Sequence, residues 1–296
     1  MPNYARCKLC ERGGTISDSP EVRRVPSNVR RFCKEEFTLW RCGNCKSVHC
    51  LEDVNLARYY EGYPLNSLEL SPPIRMVYRN RLRQLQQAGL KPAHHILDYG
   101  CGGGLFIDFL RSRGFLNAVG YDSFVPRYAG AEPLRASYYD GIVSYDVIEH
   151  VEDPVAYMKE LTALSRPDGI LAIGTPRAEG IALERTRDMV LHPPYHRHIL
   201  SERVLLKLGS DNGLTAERVY RRSLVDSLVP TLNSRFITGY IEASGGQFDA
   251  VMERSQLFLV ISSPKLWFWG LFGYFLPRGE NMVVTFRKGG PTQARL

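Results

Sequence analysis

A run of glycines after a short apolar stretch constrains the fold of this chain more than any other feature. Segment 95–104 reads HILDYGCGGG, and the apolar residues 105–110 follow it directly. This order predicts a buried strand, a glycine turn and a helix. Glycines at such a turn let the backbone approach a ligand closely at the mouth of a parallel sheet. The run therefore predicts an α/β fold with a ligand site at the turn.

Two kinds of nucleotide site use a glycine turn of this type. The dinucleotide pattern G-x-G-x-x-G asks for a small residue at position 105, where this chain has Leu105. The pattern Asp98-x-Gly100-x-Gly102-x-Gly104 instead resembles motif I of the class I S-adenosylmethionine-dependent methyltransferases.

The segments after the turn follow the order of that family. Segments 117–122, 140–151 and 170–176 resemble its second, fourth and fifth strands, and segment 280–288 resembles its last, antiparallel strand. Asp122 lies about 20 residues beyond the turn, at the position from which a carboxylate holds the ribose hydroxyls. The resemblance implies a Rossmann-like, seven-stranded methyltransferase sheet with helices on both faces.

The resemblance also implies bound S-adenosylmethionine and the residues that hold it. These cofactor-binding residues are Asp98, Gly100, Cys101, Gly102, Gly104, Asp122, Tyr145 and Asp146. The chain departs from the family between Asp122 and Asp140, where 17 residues are too few for the usual helix and full third strand. This departure leaves the contacts to adenine open.

Paired cysteines mark a separate module at the N-terminus. Six of the seven cysteines lie in the first 50 residues, and four of them form two C-x-x-C pairs, Cys7 with Cys10 and Cys42 with Cys45. Four thiolates suit a tetrahedral Zn²⁺, and a segment this small needs the metal to fold. We predict a closed structural zinc site without a catalytic role, although His49, Cys33 or Cys50 are alternatives for one ligand.

Candidate catalytic residues follow the fourth strand. Glu149 and His150 lie at the carboxyl edge of the predicted sheet, and a second base can come from His196 in the histidine-rich segment 192–198. Histidine is the natural base near neutral pH, and a structural role for His150 is the alternative. Asp146, Glu149 and His150 also resemble the divalent-ion ligands of ubiquinone-pathway and small-RNA methyltransferases, so Mg²⁺ at the acceptor site is a second alternative.

The class of methyl acceptor follows from a further resemblance. The paired cysteines, the tyrosine-rich segment 54–63 and the Glu149-His150 loop resemble bacterial methyltransferases that act in sugar, glycan or secondary-metabolite pathways. This resemblance implies O-methylation of a sugar, glycan or small metabolite.

Two other functions stay open. One is an rRNA or tRNA methyltransferase with an N-terminal zinc site, and the other is a non-catalytic scaffold that binds S-adenosylmethionine. The net charge of +7 favours nucleic acid as a partner, but the chain has no block of Lys and Arg alternating with aromatic residues, which disfavours it.

The chain organisation follows from these motifs. We predict a zinc-binding module at 1–53, a linker with N-terminal helices at 54–92, and a methyltransferase domain at 93–290 with an insertion at about 221–279. The apolar run 257–275 predicts a lid or a homo-oligomer contact, with peripheral membrane contact as the alternative. Because the sequence shows no signal region and no apolar run of about 18 residues, we expect a cytoplasmic protein.

Overall fold

The computed structural model describes residues 5–61, 69–186, 188–253 and 256–290. Residues 62–68, which belong to the predicted linker, lie outside the described residues. Ten strands occur within the described ranges: β1 Glu21–Pro26, β2 Glu36–Arg41, β3 Val48–Cys50, β4 Ile96–Tyr99, β5 Ala118–Tyr121, β6 Tyr139–Tyr145, β7 Ser165–Pro176, β8 His198–Ile199, β9 Leu214–Tyr220 and β10 Asn281–Lys288.

Eight α-helices accompany the strands in the same ranges: α1 Leu56–Tyr60, α2 Pro72–Gln87, α3 Leu105–Ser112, α4 Pro154–Leu164, α5 Glu202–Asp211, α6 Ser234–Ala243, α7 Leu257–Ser262 and α8 Pro264–Phe272. Among the described residues, none of these helices combines the length and the apolar character needed to cross a membrane.

The chain divides into two compact units, each built from separate stretches of sequence. The cysteine unit contains residues 1–68, 176–204 and 221–282. The glycine-turn unit contains residues 69–175, 205–220 and 283–296. The domain boundaries expected at 53, 92 and 290 stay predictions.

The cysteine unit contains a four-stranded sheet in the order β1-β2-β3-β8. Neighbouring strands are antiparallel, and the short strand β8 joins the sheet by pairing His198 with His49 and Ile199 with Val48. A buried apolar cluster supports the sheet and includes residues from the 178–203 segment as well as from β1, β2 and β3. The N-terminal strands and this distant segment therefore share one core.

The glycine-turn unit contains the larger sheet, in the order β5-β4-β6-β7-β10-β9. The strands β5, β4, β6 and β7 run parallel, whereas β10 pairs with β9 in the antiparallel sense. The central strands β4 and β6 are fully buried, as expected when helices cover a sheet on both faces. The predicted antiparallel strand at 280–288 is confirmed as β10, which lies between β7 and β9.

The sheet has six strands within the described residues, so the prediction of seven is wrong in number. The missing strand is the third, because residues 123–138 form a short 3-10 turn at Pro126–Tyr128 and no strand. A crossover between parallel strands needs a dozen or more residues before any added strand is counted. The stretch after Asp122 is therefore long enough for one connection only.

Local sequence signals fix the start of two helices. Asp153 precedes Pro154, and its carboxylate accepts hydrogen bonds from the amides of Val155 at 2.9 Å and Ala156 at 3.0 Å. This arrangement satisfies donors that a helix start leaves unpaired. Pro72 and Pro73 occupy the first turn of α2, where proline is favoured, and Ser71 before them makes no capping hydrogen bond.

Candidate functional site

The glycine turn leaves room beside the end of β4. Gly100, Gly102 and Gly104 all have positive φ angles, of 83°, 52° and 81°, which side chains of L-residues rarely adopt. A Cβ atom on Gly100 would collide with Val147, and one on Gly104 would collide with Tyr128. A Cβ atom on Gly102 would meet nothing within 4 Å. The turn is therefore tightly packed at both ends and open at its centre, as a ligand cradle requires.

Asp122 is oriented toward this turn by the backbone. It follows the end of β5, and its Oδ2 accepts a hydrogen bond from the amide of Gly102 at 2.8 Å. The Oδ1 atom accepts one from the amide of Phe124 at 2.9 Å. A carboxylate offers about four acceptor sites, so each oxygen keeps one for a ligand hydroxyl. The carboxylate is thus held in place and can bind a vicinal diol.

Asp98, near the end of β4, is the buried acid of the site. Its side chain is 4% exposed. Burial raises the pKa of Asp98 to about 7, while the positive charge of Arg81 acts in the opposite direction. A cation placed beside Asp98 would lower this pKa and favour the ionised form of the carboxyl group.

Arg81 is a site residue that the sequence did not reveal. The residue lies on α2, and its guanidinium carbon is 3.9 Å from the centre of the Tyr145 ring. It also lies over the rings of Tyr78 and Phe106, at 5.3 and 5.1 Å. Its Nε atom is buried and has no hydrogen-bond partner in the described part of the chain. The available signal was the three-residue spacing from Tyr78, which places Arg81 near the buried helix face.

The loop after β6 brings together four of the predicted residues. Tyr145 ends β6 with a buried hydroxyl that has no partner among the described residues, and burial raises its pKa. Asp146 has a φ of 56°, and its amide donates to the carbonyl of Gly174 at 2.8 Å. Glu149 and His150 follow in the same loop of the glycine-turn unit. A non-glycine residue with positive φ marks a constrained backbone, which recurs at functional sites.

Glu149 is fully buried and is not an ordinary carboxylate. Its Oε2 accepts a hydrogen bond from the hydroxyl of Thr175 at 3.0 Å, and its Oε1 is unpartnered in the described ranges. Burial raises the pKa of Glu149 well above its usual value, and the charge of Asp146 adds to that effect. This environment favours the protonated form of Glu149, in which the carboxyl group can donate a hydrogen bond.

His196 belongs to the cysteine unit. Its Nδ1 lies 2.7 Å from the carbonyl oxygen of Val190, so Nδ1 carries the proton and Nε2 carries the lone pair. Burial lowers the pKa of His196 to about 4. The imidazole is therefore neutral at neutral pH, which is the state that a general base needs.

Cys101 supports the glycine turn through its backbone rather than through its thiol. Its amide donates to the carbonyl of Tyr121 at 3.1 Å, which ties the turn to the end of β5. Burial raises the pKa of the Cys101 thiol, so the sulfur is protonated at neutral pH.

The four paired cysteines of the N-terminus meet in space. The Sγ atoms of Cys7 and Cys45 are 3.6 Å apart, and those of Cys10 and Cys42 are 3.9 Å apart. All four sulfurs lie within 4.8 Å of one another. A tetrahedral zinc site with Zn–S bonds of about 2.3 Å places its sulfurs about 3.8 Å apart. The four thiols therefore fit one zinc ion.

The surroundings of the four thiols favour ionisation of one of them. A hydrogen bond from the Cys7 thiol lowers the pKa of Cys45, and the side chains of His49 and Ser47 lower it further. Thiolates are the form in which cysteine binds a metal, so this environment suits a zinc ligand.

Side chains around the cysteines hold the 178–203 segment. The guanidinium of Arg41, which precedes Cys42, donates to the carbonyls of Ala178 at 3.0 Å and Ile181 at 2.7 Å. The guanidinium of Arg203 donates to the carbonyl of Asn44, between the two cysteines of the second pair, at 2.8 Å.

Two further contacts join the residues that follow the second cysteine pair to the 178–203 segment. The Nδ1 atoms of His49 and His198 are 2.9 Å apart, so one of these buried imidazoles donates to the other. The amide of Ser201 donates to the hydroxyl of Ser47 at 3.0 Å. The cysteine turns and the segment that carries His196 are thus joined within one unit.

Comparison with known proteins agrees with the glycine-turn geometry. Residues 75–219 match the family model described as a methyltransferase domain. The ubiquinone biosynthesis O-methyltransferase of Dinoroseobacter shibae is 31% identical over 134 residues, which cover 36% of this chain and 54% of that protein. The enzyme of the same name from Coxiella burnetii is 28% identical over 123 residues, covering 35% of this chain and 52% of that protein.

Solved structures are similar as well. A complex of a methyltransferase with the Trm112 activator of Haloferax volcanii aligns with 80% of this chain and 100% of the matched chain, at 11% identity and a TM-score of 0.49. The chain spans about half the length of the curated relatives that it matches. Residues 75–219, just under half of the chain, therefore contain a methyltransferase domain.

Proposed function

We propose that this protein binds S-adenosylmethionine at the glycine turn and transfers its methyl group to an oxygen atom of a small-molecule acceptor. One observation carries the binding step: the Asp122 carboxylate is fixed beside the open centre of the turn by the amides of Gly102 and Phe124. A diol-binding acid next to a glycine cradle suits the ribose of a nucleoside.

The remaining groups of the glycine-turn unit match the other parts of the cofactor. When bound, S-adenosylmethionine supplies an electrophilic methyl group on a sulfonium. The buried acid Asp98 suits its amino group, and the guanidinium of Arg81 suits its carboxylate, with which it can form a bidentate pair. The unpartnered Nε of Arg81 and hydroxyl of Tyr145 support a polar ligand at this place.

Transfer to a hydroxyl also requires removal of a proton. We assign that step to a histidine, with His150 of the β6 loop and His196 as the two candidates. His196 has an unprotonated Nε2 that can accept the proton, and its pKa of about 4 makes it a weak base; burial raises the pKa of Glu149 and disfavours its carboxylate as the base. The divalent-ion hypothesis gains no support from the buried Glu149 and stays a prediction.

The choice of an oxygen acceptor rests on the relatives. The two curated proteins named above are ubiquinone biosynthesis O-methyltransferases, although only about half of each is matched. We extend O-methylation to this chain on that basis and propose a sugar, glycan or other small metabolite as acceptor. We also propose a structural zinc ion bound by Cys7, Cys10, Cys42 and Cys45, because their sulfur spacing fits one tetrahedral ion.

A transfer experiment with tritiated methyl S-adenosylmethionine tests the function. The protein is incubated with the small-molecule fraction and, separately, with the total RNA of a cell extract. We expect label in the small-molecule fraction that survives mild alkali, since an ether is stable where a methyl ester releases methanol. Asp122→Ala should abolish the transfer, and Asp211→Ala, which removes an exposed carboxylate elsewhere in the same unit, should retain it.

The other outcomes would contradict the proposal in different ways. Label in RNA would replace the acceptor class with nucleic acid. Volatile, alkali-labile label would indicate a carboxyl acceptor rather than a hydroxyl. Binding of S-adenosylhomocysteine by calorimetry without any transfer would indicate a non-catalytic scaffold.

A further inference from the structure

Two consecutive helices of the cysteine unit expose an apolar stripe. The stripe is defined by large side chains of α7, α8 and the turn that follows them: Leu257, Phe258, Ile261, Trp267, Phe268, Leu271, Phe272, Phe275 and Leu276. Their exposed fractions run from 44% at Leu276 to 83% at Phe258. Within each helix the stripe residues are adjacent in the sequence or about four positions apart, so they lie on one face of the helix. Scattered exposed apolar residues are normal, but a continuous group of this size marks a contact surface.

The opposite face of α8 already has its packing partner. Leu266 is buried and shares a small core with Tyr240 of α6 and with Ala250. Gly270 is buried on the same face. At the start of the helix, the hydroxyl of Ser263 accepts a hydrogen bond from the amide of Leu266 at 3.3 Å. Because Leu266 and Gly270 anchor α8, the stripe is not needed to hold the helix in place.

The charges around the stripe identify what it can contact. Residues 256–279 include no Asp and no Glu. The exposed cation in this stretch is Lys265, whose Nζ is 3.2 Å from Glu242 on α6. An exposed pair of this kind contributes little and is readily exchanged for another anion. The stretch therefore combines apolar side chains with a positive charge and has no negative charge of its own.

This pattern favours an anionic bilayer over a second copy of the chain. In a two-fold contact the stripe would face itself, and each copy would bring Lys265 already paired with Glu242 and no acid from residues 256–279, so neither copy offers the other an unpaired anion. Anionic headgroups pair with that cation, while Phe and Leu side chains enter the boundary with the acyl chains. Trp267 suits the same boundary, because about half of its largely apolar ring is exposed.

We propose that the α7–α8 stripe docks this protein on the surface of an anionic lipid bilayer. The helices lie in the plane of the surface, since neither is long enough to cross it. The proposal does not depend on methyl transfer, because the stripe lies outside the residues that match the methyltransferase domain.

Sedimentation with vesicles tests this proposal on the full-length chain. Vesicles of phosphatidylcholine with one quarter phosphatidylglycerol should carry the protein into the pellet, and pure phosphatidylcholine should carry about tenfold less. The double variant Phe258→Ser/Leu271→Ser should lower the partition coefficient of the anionic vesicles at least tenfold. Leu116→Ser is the matched control, because Leu116 is 73% exposed in the other unit and should leave sedimentation unchanged.

Light scattering on the same samples separates the alternatives. The double variant must retain the circular dichroism and melting temperature of the wild type, as expected for substitutions at exposed positions. If wild-type protein does not sediment with anionic vesicles, the proposal fails. It also fails if wild-type protein is a dimer in solution that the double variant converts to a monomer, because a second copy would then cover the stripe.

Discussion

At the scale of single residues, the candidate site combines the acids of the motifs with one charge, that of Arg81, from outside them. The glycines and Asp122 shape a cradle, and in our proposal Asp98 and Arg81 supply the charge complementarity for the amino acid group of the cofactor. Arg81 is held over Tyr145, so its guanidinium is positioned before a ligand arrives. An immobilised group loses less entropy on binding than a mobile one, which favours affinity.

The role proposed for Arg81 predicts a selective loss of affinity. Arg81→Met should weaken binding of S-adenosylhomocysteine about tenfold to hundredfold, because a hydrogen bond to a charged group contributes about 1.5–3 kcal/mol. Binding of 5′-methylthioadenosine, which lacks the amino acid group, should change by less than about twofold. Calorimetry measures both. Arg83→Met on the same helix is the control, because Arg83 is exposed.

Asp122→Ala should behave differently and weaken both ligands, since both contain the ribose. An equal loss of the two ligands in Arg81→Met would show that Arg81 only packs against aromatic rings.

The pKa of Asp98 predicts how affinity depends on pH. An ionised Asp98 favours the ammonium group of the ligand, and this carboxyl is protonated below about pH 7. Affinity for S-adenosylhomocysteine should therefore fall about three- to tenfold from pH 8 to pH 6. Asp98→Asn should bind more weakly at pH 8 and lose that dependence, whereas Asp108→Asn, at an exposed position of α3, should retain it.

The raised pKa of Asp98 also determines how its contribution to the free energy of unfolding changes with pH. The pKa of Asp98 is about 7 in the folded chain against 3.8 for the free group, so the folded state keeps a proton that the unfolded state loses. The contribution of Asp98 to stability is thus present below about pH 4 and is lost as the pH rises to about 7. A ligand-free Asp98→Asn variant that melted at a lower temperature than wild type at pH 8 would contradict this assignment.

At the scale of elements, the cysteine turns organise a distant part of the chain. The segment 178–203 contains the two-residue strand β8. Its backbone groups are bound by Arg41 and Ser47, and its Arg203 side chain donates to the backbone carbonyl of Asn44 between two of the cysteines. A short edge strand has few hydrogen bonds of its own, so its order depends on what surrounds it. Zinc at the four thiols would therefore stabilise the 178–203 segment along with the N-terminal turns.

Zinc removal predicts a local loss of protection in hydrogen exchange. Cys42→Ser should reduce bound zinc from about one per chain, and amides in residues 197–203 should exchange at least tenfold faster. Amides of β4 and β6 should keep their protection, because those strands belong to the glycine-turn unit. Cys33→Ser is the matched control, since Cys33 is exposed and is not one of the four clustered thiols. Zinc-free wild-type protein with unchanged protection at 197–203 would contradict the zinc proposal.

At the scale of the whole molecule, the two compact units do not correspond to consecutive parts of the sequence. The family match covers 75–219, yet residues 176–204 within it belong to the cysteine unit. The insertion predicted at about 221–279 lies in that same unit. The cysteine unit therefore contains the four clustered thiols, the His196 segment and the apolar stripe.

The sequence predicted much of this protein because its strongest signals are local. The glycine turn and the C-x-x-C pairs each depend on a few neighbouring residues whose backbone conformation is nearly fixed by residue type. The shortage of residues between Asp122 and Asp140 likewise indicated a reduced third strand, although the expected total of seven strands was too high by one.

Tertiary structure alone decided the features that join distant residues. Arg81 became a site residue because α2 places it over Tyr145, and β8 joined the N-terminal sheet through the pairing of His198 with His49. The burial that raises the pKa of Asp98 and Glu149 also comes from surrounding segments rather than from sequence neighbours. Backbone conformation depends mainly on adjacent residues, so the sequence predicts it. The pKa of a buried group and the pairing of strands depend on residues that are distant in the sequence, so only the tertiary structure determines them.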